Sequence, residues 1–445
     1  MKVLKFGGTS IGTAVQLKKV AKIIQSDDQK IVVLSALSGV TDLLSEFIKC
    51  CGNQDLITAR QIIISVEERH RSIVLKTLSD KNFRQIALGK LNDSIVLLNK
   101  KLRTKFYHND HAQILAQGEL LSAMIFYLFF LENNVDLALI PALNFIKIND
   151  QGEPNFDWIK RRLNYELAKH HDCKIFLTNG YICKNHKNEI DNLGRGASDY
   201  TATIIGNVLN ANEIEIWTDI DGLRNNDPRF VDKTQAIRNL SYDEACELAY
   251  FGAKILHPSS ITPAQIKNIP IIIKNSFNSI DKGTIISDYT IDKGLKAVAA
   301  KDFITVIKIK SGRMMQAYGF LKRIFEIFEI HQTSVDMLTT SEISVAMTID
   351  NSKFLNKIKA DLEKLGEIEI IENQSIICVV GNYHENQNQL IHKIIEGLDL
   401  IPIQMISFGS SKINVAFVIH SDHKAEALNA LNNYILNKEL CSIHT

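Results

Sequence analysis

The sequence predicts an α/β protein, a mostly parallel open sheet sandwiched by helices, followed by a tail of two smaller repeated units. Three observations carry this reading. Short, β-branched and nearly all-apolar runs at residues 2–6, 31–35, 137–140, 175–178, 214–218 and 271–275 alternate with longer helical stretches, as strands covered on both faces do. Glycine and polar clusters follow several of these runs: Gly7-Gly8 after the first, residues 35–41 after the second, Asn179-Gly180 after the fourth. Parallel sheets bind ligands at such carboxyl ends, so one large site is expected. After about residue 293 the elements shorten and a repeat appears. SVDMLT at 334–339 overlays PIQMIS at 402–407 with an offset of 68, and ISVA at 343–346 overlays INVA at 413–416 with an offset of 70.

Composition narrows the function classes. Of 445 residues, 51 are Lys or Arg and 50 are Asp or Glu, a net charge of +1 that draws the chain to neither nucleic acid nor anionic lipid. A small-molecule partner is expected. With 45% hydrophobic residues, 23% charged and only 7 prolines, the chain is an ordinary folded one. The 7 cysteines are odd in number and scattered, with no CxxC pair and no histidines at zinc-ligand spacing. They read as free thiols in a reducing, cytoplasmic compartment. The first residues, MKVLKFGGTS, enter a strand directly and show no export signal. The apolar run at 124–131 is shorter than a membrane helix and reads as a buried helix. Residues 67–106, which lack Pro and contain Gly only at Gly89, read as helices that extend the domain.

Four segments carry chemistry. Lys5 to Ser10 is a strand end, two glycines and two hydroxyls before a helical stretch from Thr13, a pattern that lets backbone N–H groups approach a phosphate. It is no Walker A motif, since no lysine follows the last glycine, and a plain tight turn explains the glycines equally well. Residues 192–199, NLGRGASD, have Asp199 where a dinucleotide fingerprint needs glycine, which argues against a hydride carrier. They offer a guanidinium, a hydroxyl and a carboxylate ahead of a helix at 200–209; Ser198 or Asp199 as a simple N-cap would need no ligand. Residues 217–229 contain Asp-Gly and Asp-Pro, ordinary turn chemistry. In FGAKILHP at 251–258, Lys254 is either a phosphate partner or a surface lysine.

Taken in order and spacing, KFGGTS, LSALSGVTDLL, QGELLSA, TNGY, NLGRGASDYTA, WTDIDGL with NDPR, and FGAKILHP resemble the aspartate kinases of the amino acid kinase family. The tail pair resembles the ACT domains of the lysine-sensitive, monofunctional type, so the resemblance spans essentially the whole chain. It implies an amino acid kinase fold over residues 1–292 and two βαββαβ ACT domains at 303–372 and 373–445, with 295–301 a candidate strand completing the second. The implied reaction is transfer of the ATP γ-phosphoryl group, with Mg²⁺, to the side-chain carboxylate of L-aspartate. The product, 4-phospho-L-aspartate, opens the lysine (diaminopimelate), threonine and methionine route. Feedback by L-lysine and a homodimer or dimer of dimers built through the ACT domains are implied as well. The tail as an assembly module alone is the alternative. The residue inventory agrees with the chemistry, since a carboxylate nucleophile is already ionised at neutral pH and catalysis reduces to positioning and charge neutralisation.

The resemblance also distributes roles. Lys5, Asp199 and Lys254 match catalytic positions, with Lys5 at the transferring group and Asp199 orienting it. Gly7, Gly8, Ser10, Thr218, Asp219, Arg224 and Arg229 match ATP-binding positions together with Lys5 and Lys254. Ser35, Thr41, Glu119, Arg195 and Ser198 match the aspartate site, Arg195 forking the α-carboxylate and Glu119 taking the ammonium. Met314, Gly319, Phe320, Leu321, Val335, Asp336, Ser341 and Glu342 match the lysine site, with Asp336 and Glu342 as its charge partners. Three departures stand out. Ala197 replaces a glycine of the family turn, which is expected to tighten it. Arg224 replaces a tyrosine, suggesting a cation–π or phosphate contact. Gln316 and Ala317 replace a histidine and a serine, which is expected to weaken lysine binding.

Overall fold

Ahead of residue 289 the strands are β1 (Lys2–Phe6), β2 (Lys30–Leu34), β3 (Leu137–Leu139), β4 (Ile175–Asn179), β5 (Ile182–Lys184), β6 (Ile190–Asn192), β7 (Ile214–Thr218), β8 (Asn239–Ser241), β9 (Ile271–Asn275) and β10 (Thr284–Ser287). The six apolar runs are among them, each within one residue of its expected bounds. The helices are α1 (Gly8–Ile11), α2 (Ala14–Ile24), α3 (Val40–Gly52), α4 (Leu56–Thr77), α5 (Lys81–Lys101), α6 (His108–Glu132), α7 (Phe156–Ala168), α8 (Ala197–Leu209), α9 (Tyr242–Tyr250) and α10 (Pro258–Ile266). This computed structural model describes the chain except residues 26–27, 103–107, 195, 253–255, 289–293, 315–317, 383–386, 410 and 437–445.

Eight of these strands form one sheet in the order β3-β4-β2-β1-β7-β9-β10-β8, parallel throughout except where β10 runs against β9. The hairpin β5–β6 stands apart. Alternate residues of each strand serve two faces, which is why the runs are apolar without a break. Leu4, Phe6, Val32, Leu34 and Trp217 join a core with α2 to α6, whereas α8 packs across β1, β2 and β7 on the other side. Helix α6 is long and apolar enough over Asp110–Glu132 to cross a membrane by length and composition; here Ile114, Leu121, Phe126 and Phe130 are buried in that core. The helices α4 and α5 start on aspartate caps, Asp55 accepting from Thr58 N and Asp80 from Asn82 N and Phe83 N.

The tail adds β11 (Gly294–Lys310), α11 (Phe320–Ile330), β12 (Leu338–Thr340), β13 (Ser344–Ile349), α12 (Leu355–Leu362), β14 (Glu367–Asn382), α13 (Gln387–Gly397), β15 (Ile403–Ser407), β16 (Asn414–His420) and α14 (Lys424–Leu436). Its six strands order as β12-β13-β11-β14-β16-β15, all neighbours antiparallel. The long strands β11 and β14 are shared by two halves. The second part of β11 with α11, β12, β13, α12 and the first part of β14 makes one strand–helix–strand–strand–helix–strand unit. In the other, the second part of β14 with α13, β15, β16 and α14 receives the first part of β11 at its edge. A bulge separates the halves, where Phe303 and Asn373 both take positive φ.

Contacts divide the chain into one unit of Met1–Leu223, Arg238–Tyr242 and Leu256–Tyr289, and another of Arg224–Ile237, Asp243–Ile255 and Thr290–Thr445. No linear boundary at residue 292 describes this division. Residues 224–237 and 243–255 belong with the tail because Val231 enters the core of its second half, Asn226 Nδ2 donates to the Leu428 carbonyl at 2.9 Å, and Glu244 forms a buried ion pair with Lys296 at 2.8 Å.

Within the first unit, α4 buries His70, whose Nδ1 donates to the Val66 carbonyl at 2.7 Å while Nε2 has no partner among the described residues. Burial pushes its pKa down to about 4. The unfolded chain therefore takes up a proton near pH 6.5 that the folded one refuses. Stability present above pH 6.5 should decline as pH falls toward 4, by roughly 3 kcal/mol in all. Urea unfolding across that range should show a shallower acid loss for His70→Gln than for wild type; parallel curves would contradict the assignment.

Candidate active site

A cavity of about 800 Å³ opens at the carboxyl ends of β1, β2 and β4. Among its lining residues are Lys5, Gly8, Ser35, Thr41, Glu119, Ser198 and Asp199, seven positions the sequence singled out, drawn from segments far apart in the chain. Each is held by local construction. Ser35 N donates to the Phe6 carbonyl, and the Ser35 carbonyl accepts from Ser122 Oγ at 2.7 Å, so the loop after β2 is tied to both β1 and α6. Gly118 lets α6 come this close, since a Cβ there would lie 2.9 Å from that of Ala36.

Lys5 Nζ lies 2.7 Å from Asp199 Oδ1, with both side chains close to nine-tenths buried. The pair is made at ion-pair distance without hydrogen-bond direction, as Asp199 Oδ1 has no directed donor among the described residues. Asp199 arrives in the first turn of α8, where a carboxylate also suits the helix dipole. The left-handed positions of the preceding turn are Gly194 (φ 81°) and Gly196 (φ 66°), and a Cβ on Gly196 would meet His257 Cβ at 2.5 Å. Ala197 has negative φ as the first residue of α8, so it does not tighten the turn as expected: no glycine is needed there.

Glu119 is buried on α6. Its Oε1 accepts from Ala36 N at 3.4 Å, its carbonyl accepts from Asn179 Nδ2 at 2.9 Å, and its Oε2 has no partner among the described residues. Burial pushes the carboxyl up to about 8, against the smaller opposing effect of the backbone donors. Such a group is poised to meet a cation. Tyr181 also lines the cavity and was not singled out by the sequence reading. It takes φ 66°, which is strained for a large side chain, and its N donates to Thr201 Oγ1. Burial first, and the nearby Glu119 charge second, raise its phenol. TNGY contained the signal, a bulky residue directly after a glycine at a strand end.

Other expected residues fall elsewhere. Gly7 cannot present its N–H to a ligand, because it donates to the Trp217 carbonyl at 3.1 Å, and the buried Ser10 hydroxyl donates to Ser276 Oγ at 2.8 Å. Thr218 ends β7, with its Oγ1 donating to the exposed Asp219 at 3.2 Å. In the other unit, Arg224 is not poised for the expected cation–π or phosphate contact, since its Nη1 donates to the Thr234 carbonyl and Oγ1. Arg229 pairs with Asp227 on the surface. Arg195 and Lys254 lie outside the described residues. Of the tail positions, Phe320 is buried in the core of the first half, where Met314 and Val335 pack against it, and Gly319 caps α11 with φ 79°. Leu321 and Glu342 are exposed, Ser341 Oγ bonds Ser344 Oγ, and Asp336 is already paired within the chain. Gln316 and Ala317 lie outside the described residues.

Comparison with known proteins agrees with this geometry. The model of the amino acid kinase family matches residues 1–275, and an ACT domain model matches residues 377–434. The chain is 30% identical over 474 residues to aspartokinase 3, chloroplastic, of Arabidopsis thaliana, covering 99% of this chain and 82% of the relative. Two crystal structures of E. coli aspartokinase III are similar. The one in complex with aspartate and ADP has a TM-score of 0.86 at 26% identity, covering 98% of this chain and 100% of the other. The one with lysine and aspartate has a TM-score of 0.79 at 27% identity with the same coverage.

The two glycines after β1 differ in what they tolerate. A Cβ on Gly8 would lie 2.6 Å from the Ala36 carbonyl oxygen and 2.9 Å from Ser38 N, whereas one on Gly7 would have nothing closer than 3.6 Å, at an ordinary φ of −69°. Gly8→Ala should cost about 1–3 kcal/mol in urea unfolding and Gly7→Ala close to none. Equal losses would mean that the β2 loop yields to a methyl group.

Proposed function

The chain belongs to the amino acid kinase family, as an aspartate kinase, and from that premise we propose how its own residues carry the reaction. It transfers the γ-phosphoryl group of ATP to the side-chain carboxylate of L-aspartate. One carboxylate oxygen forms a bond to phosphorus, the bond from phosphorus to the β–γ bridging oxygen breaks, and ADP departs with that electron pair. Because the nucleophile is already an anion, the residues need only hold two anions together and offset their charge. The observation that carries this reading is the gathering of the Lys5–Asp199 pair and the unpartnered Glu119 oxygen in one cavity.

In this reading Lys5 offsets charge on the phosphoryl group in flight and Asp199 keeps its ammonium aimed. Glu119 accepts the α-ammonium of aspartate, Arg195 forks the α-carboxylate, and the hydroxyls of Ser35, Thr41 and Ser198 fix the remainder. Thr218, Asp219 and Lys254 serve the nucleotide; Arg224 and Arg229 are left out, their guanidinium groups being committed to Thr234 and to Asp227. Among the described residues no group of three or more His, Cys, Asp or Glu could hold a metal ion. In this reading Mg²⁺ enters as part of the Mg–ATP substrate, held mainly by phosphates and water. L-Lysine acts on the tail, a reading supported by the lysine complex of the E. coli relative. Assembly through the tail is supported by Phe325 and Ile330, exposed on α11.

Trapping the acyl phosphate with hydroxylamine in the presence of Mg–ATP and L-aspartate tests the reaction. Lys5→Met should lower kcat by about a hundredfold or more while aspartate KM stays within a few fold; retained turnover would remove Lys5 from this role. Glu119 adds a separate readout. Its carboxyl holds a proton below about pH 8 when no ammonium faces it, and an arriving ammonium favours the carboxylate. Calorimetry at pH 7 in buffers of different ionisation enthalpy should show up to about one proton released per aspartate bound. Glu119→Gln should bind weakly and release none, and proton uptake by wild type would contradict the role.

A further inference from the structure

In the second unit, one carboxylate joins the helix that leads into Lys254 to the regulatory sheet. Asp336 is buried to 1% exposure of its side chain. Its Oδ1 accepts from Lys301 Nζ at 2.9 Å and from the Tyr250 hydroxyl, while its Oδ2 is buried without a partner among the described residues. The same Lys301 ammonium stands 4.4 Å from the centre of the Tyr250 ring and 3.0 Å from Asp350, a more exposed carboxylate. Tyr250 is the last residue of α9 and precedes Lys254 by four positions. Two residues on, Gly252 adopts φ 132° and lies so close to β11 that a Cβ would fall 2.1 Å from the Ala300 carbonyl oxygen. The end of α9 is therefore pinned beside Lys301, on the strand that carries it.

We infer that Lys301 holds, at Asp336, the place an effector's ammonium would take, and that Tyr250 is a positioning residue tying this carboxylate to residues 251–252, which precede Lys254 in the chain. The inference rests on the reading of Asp336 as part of the effector site. Two ammonium groups on one buried carboxylate repel strongly at such distances, so an incoming ammonium competes with Lys301, and Asp350 is the partner to which Lys301 can turn. Once Asp336 is taken, Tyr250 loses the cation over its ring and shares its acceptor, and the hold on residues 251–252 slackens. A bound amino acid thus reaches the nucleotide segment through three side chains of one unit, with the effector binding the slackened form better.

The test uses the full chain, with L-lysine as probe. Lys301→Gln removes the internal competitor and should lower the lysine concentration for half-inhibition, and the calorimetric Kd, at least about fivefold, with uninhibited kcat and aspartate KM unchanged. Lys301→Arg, which keeps the ion pair, should restore the wild-type response. Tyr250→Phe, assayed without lysine, should raise ATP KM several-fold while leaving aspartate KM alone; a merely loosened fold would shift both, along with the melting temperature. Lysine binding of equal or lower strength in Lys301→Gln, or an unchanged ATP KM in Tyr250→Phe, would overturn the inference while leaving lysine regulation standing. Absence of lysine binding and inhibition in wild type and Lys301→Gln alike would refute the effector reading itself, and the competition with it.

Discussion

A lysine ammonium cannot be buried at the end of a central strand without an anion beside it, and the first unit is arranged to meet that demand. Lys5 sits on β1, flanked on both sides by parallel neighbours, with its charge at the edge of the cavity. The carboxylate comes from the helix that packs across β1, as α8 brings Asp199 in its first turn. The glycines that surround this point answer the same need for close approach: Gly180 has no room for a Cβ against Ser198, nor Gly196 against His257. Removing one member of such a pair leaves a buried charge uncompensated, typically at a cost of about 3–5 kcal/mol.

Glu119 shows the complementary strategy. It too is a buried ionisable residue, yet one of its oxygens has no partner among the described residues, and the backbone around it is tied instead by Ser122 and Asn179. An unsatisfied buried oxygen is costly while the site is empty, and that cost is relieved when a cation arrives, which in the role proposed for Glu119 makes the interaction a source of specificity for an ammonium-bearing substrate. Lys5 and Glu119 thus differ: one is paired in advance, the other is held open. Tyr181, held in a strained backbone, lines the same cavity.

In the second unit, a segment whose sequence reads as part of the nucleotide site is built into the regulatory sheet. Residues 224–237 contribute Val231 to the core of its second half, and α9 is anchored by the Glu244–Lys296 pair. If this segment serves the nucleotide as proposed, regulation and nucleotide binding share a structural element, and an event at the sheet need not travel through a long chain of contacts to matter. The sharing also explains why the strands β11 and β14 are so long: each serves two repeats, and the bulge at Phe303 and Asn373 lets one strand change from one to the other.

The sequence by itself determined the parallel sheet, because strands buried on both faces must be apolar throughout and therefore announce their bounds. It also determined the tail repeat and the chemistry-bearing segments, since glycines, a strand-end lysine and a carboxylate at a helix start have local causes. It missed β5, β6, β8 and β10, each only three or four residues long, which leave too little periodicity to read. What the tertiary structure alone decided is how side chains are spent. Gly7 and Ser10 look available in the sequence, yet their donors are consumed by Trp217 and Ser276, more than two hundred residues away. Arg224 is consumed by Thr234 and Asp336 by Lys301 and Tyr250, again through contacts that no spacing announces. Whether a polar group is free for a ligand depends on every neighbour that packing brings within about 3 Å, and those neighbours exist only once the chain has folded.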